Sequence, residues 1–270
     1  MTPPRHPVKP ATGTDSLLVL IPAYNEEGAI ASVVSEVHRY VPGAPVLVID
    51  DCSRDGTSFC ARSAGADVLA LPHHLGLGGA VQAGYKLAFE LGYEYVIRVD
   101  GDGQHPAADI PRILEKLKSS DYEMVIGSRF LEANGWRSSF ARKMGQSFFR
   151  AVLRPILGQS VHDPTSGFVG VNRRALQVFA SSFPLEYPEI EALVVLQRRR
   201  FRFIEIPCKM RPRTTGRSTI TAVKSFYYII HVLLGVFVNV LKWDRRPRPS
   251  QAPGSRIDSV HNTGRDMRHS

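Results

Sequence analysis

The sequence has little cysteine and lacks several signatures that would assign a function directly. Its 270 residues include three cysteines, which cannot form a disulfide framework and show no metal-ligand spacing. We therefore expect free thiols in a reducing compartment. Residues 1–16 lack the apolar stretch of a secretory signal, and no Gly-Lys-Ser/Thr phosphate loop occurs. These absences exclude a disulfide-stabilised scaffold and a P-loop phosphate site.

Acidic residues are outnumbered by basic ones, 25 to 34, so the formal net charge is +9 at pH 7. Such a charge predicts an anionic partner: a nucleic acid, a phosphorylated small molecule or an acidic membrane surface. The chain has no helix-turn-helix, zinc or aromatic RNA-binding signature, so we expect no nucleic acid. Hydrophobic residues make up 43% of the sequence, enough for a full core, which excludes wholesale disorder.

The composition divides the chain into three parts. Residues 1–16 predict a flexible leader, residues 17–243 a folded domain, and residues 244–270 a disordered basic tail. Short Val/Ile/Leu runs in the folded part predict strands at 17–22, 46–51, 68–71, 95–100 and 124–127. Amphipathic stretches predict helices at 26–40, with Asn25 as N-cap, and at 78–91 and 106–119. This alternation predicts an α/β fold with a mostly parallel sheet.

Two carboxylates separated by one glycine follow the fourth predicted strand. Asp100 and Asp102 can face one Mg²⁺ or Mn²⁺ ion, with Gln104 offering a further oxygen. The alternative is a solvated loop, since Asp-Gly pairs are common in turns. Ligands of parallel α/β sheets bind beyond the carboxyl ends of the strands, so we expect these residues to meet Asp51 and segment 22–26 at one edge.

Other segments carry candidate phosphate-binding groups. The glycine-rich stretch before the second predicted helix would let the backbone of Gly78 approach a phosphate. In the basic second half, Arg129 follows a strand, and a loop offers the guanidinium of Arg213 and the hydroxyl of Ser218. A solvated basic face is the alternative.

Three acids in the second half could place a carboxylate opposite the metal. Asp163 precedes a further predicted strand, whereas Glu189 and Glu191 open a predicted helix. For the two glutamates the alternative is a first-turn position favoured by the helix dipole.

Seven segments, in order, resemble one known family. They are Ile21–Glu26, Val48–Thr57, Leu75–Ala80, Asp100–Pro106, Gly127–Arg129, Asp163–Phe168 and Arg213–Ser218. Together they resemble glycosyltransferase family 2, specifically its dolichyl- and polyprenyl-phosphate sugar synthases, over about residues 17–243. The resemblance implies the GT-A fold, in which a Rossmann-like nucleotide-binding half is fused to an acceptor-binding half.

The resemblance also implies roles for individual residues. It implies that the nucleoside is held by Pro22, Ala23, Tyr24, Glu26 and Asp51. The metal and the donor diphosphate would be held by Asp100, Asp102 and Gln104. The acceptor and donor phosphates would be held by Arg129, Arg142 and Arg213. The sequence departs from the family at His74, where asparagine is common, and in the acceptor helix, where the usual serine is not cleanly placed.

The implied reaction is an inverting transfer from a UDP- or GDP-linked sugar to a polyprenyl phosphate, with metal and arginines stabilising the departing diphosphate. An ionised phosphate acceptor needs no general base. A hydroxyl acceptor does, and Asp163, Glu189 and Glu191 are the candidates. The arginine-rich second half favours the lipid phosphate. A hydroxyl acceptor and a non-catalytic nucleotide-sugar-binding protein are the alternatives, and the intact aspartate pair argues against the second.

Residues 226–241 form an apolar run of 16 residues. A spanning helix needs about 20, so the run predicts an interfacial helix or a buried core helix. Together with the basic tail, a lipid-phosphate acceptor favours a cytoplasmic protein that is peripheral on the cytosolic face of the membrane.

Overall fold

The computed structural model describes residues 16–131 and 151–211, together with Pro10, Ala11 and Gly13. The predictions for Arg142, Arg213, Ser218 and the apolar run 226–241 lie outside the described residues, as do those for most of the leader and for the basic tail.

The described residues form one mixed sheet of seven strands. The strands are β1 (Leu17–Ala23), β2 (Val46–Asp50), β3 (Asp67–Ala70), β4 (Tyr95–Arg98), β5 (Met124–Ser128), β6 (Val169–Asn172) and β7 (Phe203–Pro207). Their spatial order is β3-β2-β1-β4-β6-β5-β7, and every pairing is parallel except those of β6. The mostly parallel α/β sheet predicted from the sequence is confirmed.

Helices cover both faces of this sheet. They are α1 (Glu27–Tyr40), α2 (Thr57–Ser63), α3 (Gly76–Glu90), α4 (Ile110–Lys118), α5 (Arg173–Ser181) and α6 (Pro188–Arg198). Residues 151–157 are also helical. The stretch predicted as one helix at 106–119 is a 3₁₀ turn, Ala107–Asp109, followed by α4. No helix within the described ranges is long and apolar enough to cross a membrane.

Asn25 is not the N-cap of α1, contrary to the sequence prediction. Glu26 precedes the helix, while Asn25 has a φ of 54°. Asparagine tolerates this left-handed conformation better than most residues do. The Asn25 side chain accepts a hydrogen bond from the backbone N–H of Arg54 (2.8 Å) instead of capping the helix. It therefore joins the turn after β1 to the turn after β2.

Strand residues alternate between two apolar layers. In β1, Leu18 and Leu20 pack in the cluster formed with α3, α5 and α6, and Val19 and Ile21 in the cluster formed with α1, α2 and α4. All seven residues of β1 are buried. Burial on both faces explains why the strands appear in the sequence as continuous apolar runs.

The reversed direction of β6 decides what reaches the functional edge. Because β6 is antiparallel to β4 and β5, its first residue lies where those strands end. The segment 163–168, which precedes β6, therefore joins the carboxyl ends of β1, β2, β4 and β5. Ligands of open α/β sheets bind at such an edge.

Gly78 allows α3 to pack directly against the backbone of residues 184–185. A Cβ atom at this position would lie 2.5 Å from the Leu185 carbonyl oxygen and 2.7 Å from that of Pro184. Neither backbone atom can move aside cheaply. The structure thus gives Gly78 a packing role between α3 and the segment before α6.

We expect Gly78→Ala to lower the free energy of unfolding by about 1–3 kcal/mol, because the added methyl group overpacks this contact. Urea denaturation measures the change. Lys86→Ala, on the exposed face of the same helix, is the control and should change stability by less than about 0.5 kcal/mol. Equal stabilities of the two variants would contradict the packing role.

Candidate active site

A cavity of about 340 Å³ opens at the carboxyl edge of the sheet. Its walls come from the ends of β1, β2 and β4 and from the start of α3. The lining residues are Pro22, Ala23, Tyr24, Glu26, Asp51, His74, Gly76, Leu77, Ala80, Asp100, Gly101 and Asp102. Every residue expected to hold the nucleoside lies here, beside the Asp100/Asp102 pair. Gly76, Leu77 and Ala80 of the glycine-rich stretch line the cavity, and the contact of the Gly78 backbone with a phosphate stays a prediction.

The two aspartates at the end of β2 have different surroundings. Asp50 accepts hydrogen bonds from the Ser53 backbone N–H (2.9 Å) and the Ser58 hydroxyl, so it fixes the turn into α2. Asp51 is buried and faces the cavity, where its Oδ1 accepts from the Leu75 backbone N–H (2.7 Å). The second aspartate is therefore the one placed to contact a ligand.

A buried arginine connects the carboxylate pair to helix α6. Arg98, the last residue of β4, is 2% exposed. Its Nη2 donates to Asp100 Oδ1 (3.1 Å) and to Glu189 Oε1 (2.9 Å), while its Nε donates to Asp100 Oδ1 (3.2 Å). Glu189 stands in the first turn of α6. One guanidinium thus compensates two carboxylates, one of them two residues away in the chain and the other 91 residues away.

The charge of Asp100 is controlled by these neighbours. Burial alone would raise its pKa, but the attraction of Arg98 and then of His105 outweighs burial and holds the pKa of Asp100 below 3.8. His105 is also buried, and burial lowers its pKa below 6.5, with Asp100 opposing the shift and Arg98 adding to it. Neutral His105 accepts a hydrogen bond at Nδ1 from the Asp100 backbone N–H (3.0 Å).

The donor atoms of the pair fit a hard divalent cation. Carboxylate oxygens are the ligands that Mg²⁺ and Mn²⁺ prefer, and both side chains line the cavity. Within residues 16–131 and 151–211, no group of three Asp, Glu, His or Cys side chains is placed to hold a metal. A metal here would therefore rest on Asp100 and Asp102 and take further ligands from a diphosphate and water.

Gln104 orients Asp102. Its side-chain Nε2 donates to Asp102 Oδ2 (2.6 Å), and its backbone N–H donates to Asp102 Oδ1 (3.0 Å). The carbonyl of Gln104 accepts from the Arg211 backbone N–H (2.9 Å), which joins this loop to the chain after β7. The arrangement favours an orienting role for Gln104 over the metal ligation expected from the sequence.

A second charged pair lies at the end of β5. Arg129 donates from Nε to Asp163 Oδ2 (2.7 Å) and from Nη2 to Asp163 Oδ1 (2.6 Å). Asp163 is fully buried, whereas the Arg129 side chain is 28% exposed. Glu205 of β7 accepts from the backbone N–H of Asp163 (2.7 Å) and fixes this loop in turn. Burial alone would lower the pKa of Arg129, but the bonds to Asp163 raise it, so Arg129 stays charged.

Several site residues were not singled out by the sequence analysis. Arg98 stands inside an apolar strand, and its partner Glu189 is distant in the chain. Gly167 packs on this pair, since a Cβ there would lie 2.6 Å from Asp100 Oδ2 and 2.7 Å from Arg98 Nη2. For Arg98, the signal available in the sequence was an arginine inside an otherwise apolar run.

Glu191, the third candidate base from the sequence analysis, is buried in α6.

Comparison with known proteins places the chain in a family. Residues 18–179 match the family described as Glycosyl transferase family 2. The protein therefore belongs to glycosyltransferase family 2 and is a glycosyltransferase.

Named relatives are similar over most of the chain. Undecaprenyl-phosphate mannosyltransferase of Micrococcus luteus is 29% identical over 238 residues, covering 84% of this chain and 93% of that protein. UDP-N-acetylglucosamine–dolichyl-phosphate N-acetylglucosaminyltransferase of Methanococcus voltae is 26% identical, covering 81% and 96%.

A solved structure has the same fold. Glucosyl-3-phosphoglycerate synthase from Mycobacterium tuberculosis, crystallised with Mg²⁺ and UDP, superposes with a TM-score of 0.60 at 23% identity. The superposition covers 75% of this chain and 72% of that one. The expected GT-A fold is confirmed.

Removing the buried guanidinium should destabilise the site. We expect Arg98→Met to lower the free energy of unfolding by about 1–3 kcal/mol, because the partly exposed Asp100 and Glu189 lose their counter-charge. Adding Glu189→Gln should restore part of the loss. Arg112→Met removes an exposed ion pair with Asp109 and is the control, with an expected loss of about 0.2–1 kcal/mol. Equal losses in urea denaturation would contradict the role of Arg98.

The lowered pKa of His105 predicts a pH dependence of stability. Below about pH 6.5 the unfolded chain binds a proton at this residue more readily than the folded protein does. The free energy of unfolding should therefore fall as the pH drops below about 6.5. His105→Asn, which keeps an acceptor on a shorter side chain, should lose this component. Denaturation in the presence of a chelator measures it, and identical pH profiles would refute the assignment.

Proposed function

We propose that the protein transfers a sugar, with inversion, from a nucleotide-sugar donor to a polyprenyl phosphate of the dolichyl type. In this proposal the donor lies in the cavity at the sheet edge and the acceptor phosphate approaches from the side of Arg129. The nucleoside contacts Tyr24 and Asp51, and the diphosphate lies beside Asp100 and Asp102.

The observation that carries the proposal is the pairing of two of the three candidate bases. Asp163 is fully buried and accepts three hydrogen bonds from Arg129, and Glu189 accepts one from Arg98. Carboxylate oxygens already held by a guanidinium are poorly placed to take a proton from an acceptor hydroxyl. A hydroxyl acceptor would need such a base, whereas an ionised phosphate attacks without one.

Each side chain at the sheet edge has its own role in the proposed reaction. Asp100 and Asp102 would hold the divalent cation, Mg²⁺ or Mn²⁺. When bound, this cation would neutralise charge on the departing diphosphate. Arg98 keeps Asp100 ionised, and Gln104 keeps Asp102 in place. Arg129 presents a fixed positive charge at the sheet edge, suited to a phosphate. Arg142, Arg213 and Ser218 are further phosphate contacts in this proposal.

The relatives support the same acceptor class. Two of those similar over more than four-fifths of the chain carry undecaprenyl phosphate and dolichyl phosphate in their names. A lipid acceptor in turn supports action at a membrane surface, and we propose the cytosolic face, where a nucleotide-sugar donor and the basic tail would meet an anionic leaflet.

The test is a transfer assay in detergent with Mn²⁺ or Mg²⁺. Radiolabelled UDP- and GDP-sugars are offered with and without polyprenyl phosphate, and the product is extracted into organic solvent. We expect extracted label that requires both the lipid and the metal. Metal-dependent release of nucleotide with no lipid labelling would contradict the lipid-phosphate acceptor and point to a hydroxyl.

Two variants in this assay separate the metal site from a general base. Asp102→Ala should reduce transfer by about a thousandfold while the protein stays folded, because the cation loses a carboxylate. Glu189→Gln should retain activity within about tenfold of wild type, since losing a true base costs about 10²–10⁴ in rate. A Glu189→Gln loss as large as that of Asp102→Ala would overturn the base-free mechanism.

A further inference from the structure

Two rings form one part of the cavity wall. The His74 ring lies against the Tyr24 ring, with centroids 4.2 Å apart and planes inclined by 32°. Both side chains line the cavity, and 53% of the His74 side chain is exposed. His74 also contacts Asp51, whose side chain is 4% exposed. A planar heterocycle fits this combination of flat apolar faces and one buried carboxylate.

The hydrogen bonds of His74 fix which ring nitrogen carries the proton. Nδ1 lies 2.8 Å from Asp51 Oδ2 and 3.2 Å from the Asp51 backbone oxygen. Both of these atoms are acceptors, so Nδ1 must be the donor. In the neutral ring, Nε2 is then an acceptor. Nε2 and the remaining lone pairs of Asp51 give this part of the cavity several hydrogen-bond acceptors.

We propose that His74 reads the nucleobase of the donor together with Asp51, selecting bases whose pairing edge carries a ring N–H. The inference rests on the proposed nucleotide-sugar donor. Uracil and guanine each have a ring N–H on that edge, whereas cytosine has a bare ring nitrogen there and donates only from its exocyclic amino group. A bare ring nitrogen set against acceptors makes no hydrogen bond. Asparagine, common at this position in the family, would not give the aromatic face.

The experiment measures the affinities of UDP, GDP and CDP by calorimetry in Mn²⁺ at a single neutral pH. The quantity of interest is the dissociation constant of CDP divided by that of the tighter of UDP and GDP. Because all three carry the same diphosphate, its titration and metal binding largely cancel in this ratio. The variants are His74→Asn and His74→Phe, with His73→Asn as the matched control. His73 is exposed and does not line the cavity.

We expect the wild-type ratio to be at least about fivefold. His74→Asn and His74→Phe should lower this ratio by about threefold or more, and His73→Asn should match wild type. His74 variants that match wild type would overturn the inference and leave the proposed function standing. If none of the three nucleotides binds wild type, the proposed function fails and the inference with it.

Discussion

The site depends on a positive charge buried at the end of a strand. A guanidinium out of contact with water is stable in a protein only if it is paired and hydrogen-bonded. Arg98 meets this requirement through Asp100, two residues beyond its strand, and Glu189 on α6. The pairing keeps Asp100 ionised for a cation and fixes the first turn of α6 against the sheet. It also requires Gly167, since no Cβ fits beside the two charged groups.

A second constraint is the reversal of β6. The five preceding strands deliver their carboxyl ends to one edge, and the antiparallel strand brings segment 163–168 to the same place. Asp163 can therefore hold Arg129 at the end of β5, supported from β7 by Glu205. The groups that we propose for the nucleotide and for the acceptor thus come from separate parts of the chain. They meet because of strand order and direction.

Much of this arrangement follows from the sequence, because it depends on local pattern. Continuous apolar runs predicted the first five strands, and the polar residues that follow them predicted a shared edge. Those residues, Tyr24, Asp51 and Asp100 among them, do line one cavity. What the pattern could not supply was pairing over long separations. Glu189, which pairs with Arg98, is 91 residues away in the chain. The sequence pattern therefore could not show that Arg98 is buried or that Glu189 is its partner. Asn25 was misassigned as an N-cap because its side chain bonds Arg54, 29 residues away. The packing of Gly78 against residues 184–185 was likewise not visible in the sequence.

The central claim is that Asp100 and Asp102 form a cation site that only a bound nucleoside diphosphate completes. The most direct measurement is a Mn²⁺ titration of wild-type protein, followed by electron paramagnetic resonance, with and without UDP or GDP. The account predicts weak Mn²⁺ binding alone and binding at least about tenfold tighter with the nucleotide, with a reciprocal gain in nucleotide affinity. Equal Mn²⁺ affinity with and without either nucleotide would contradict it.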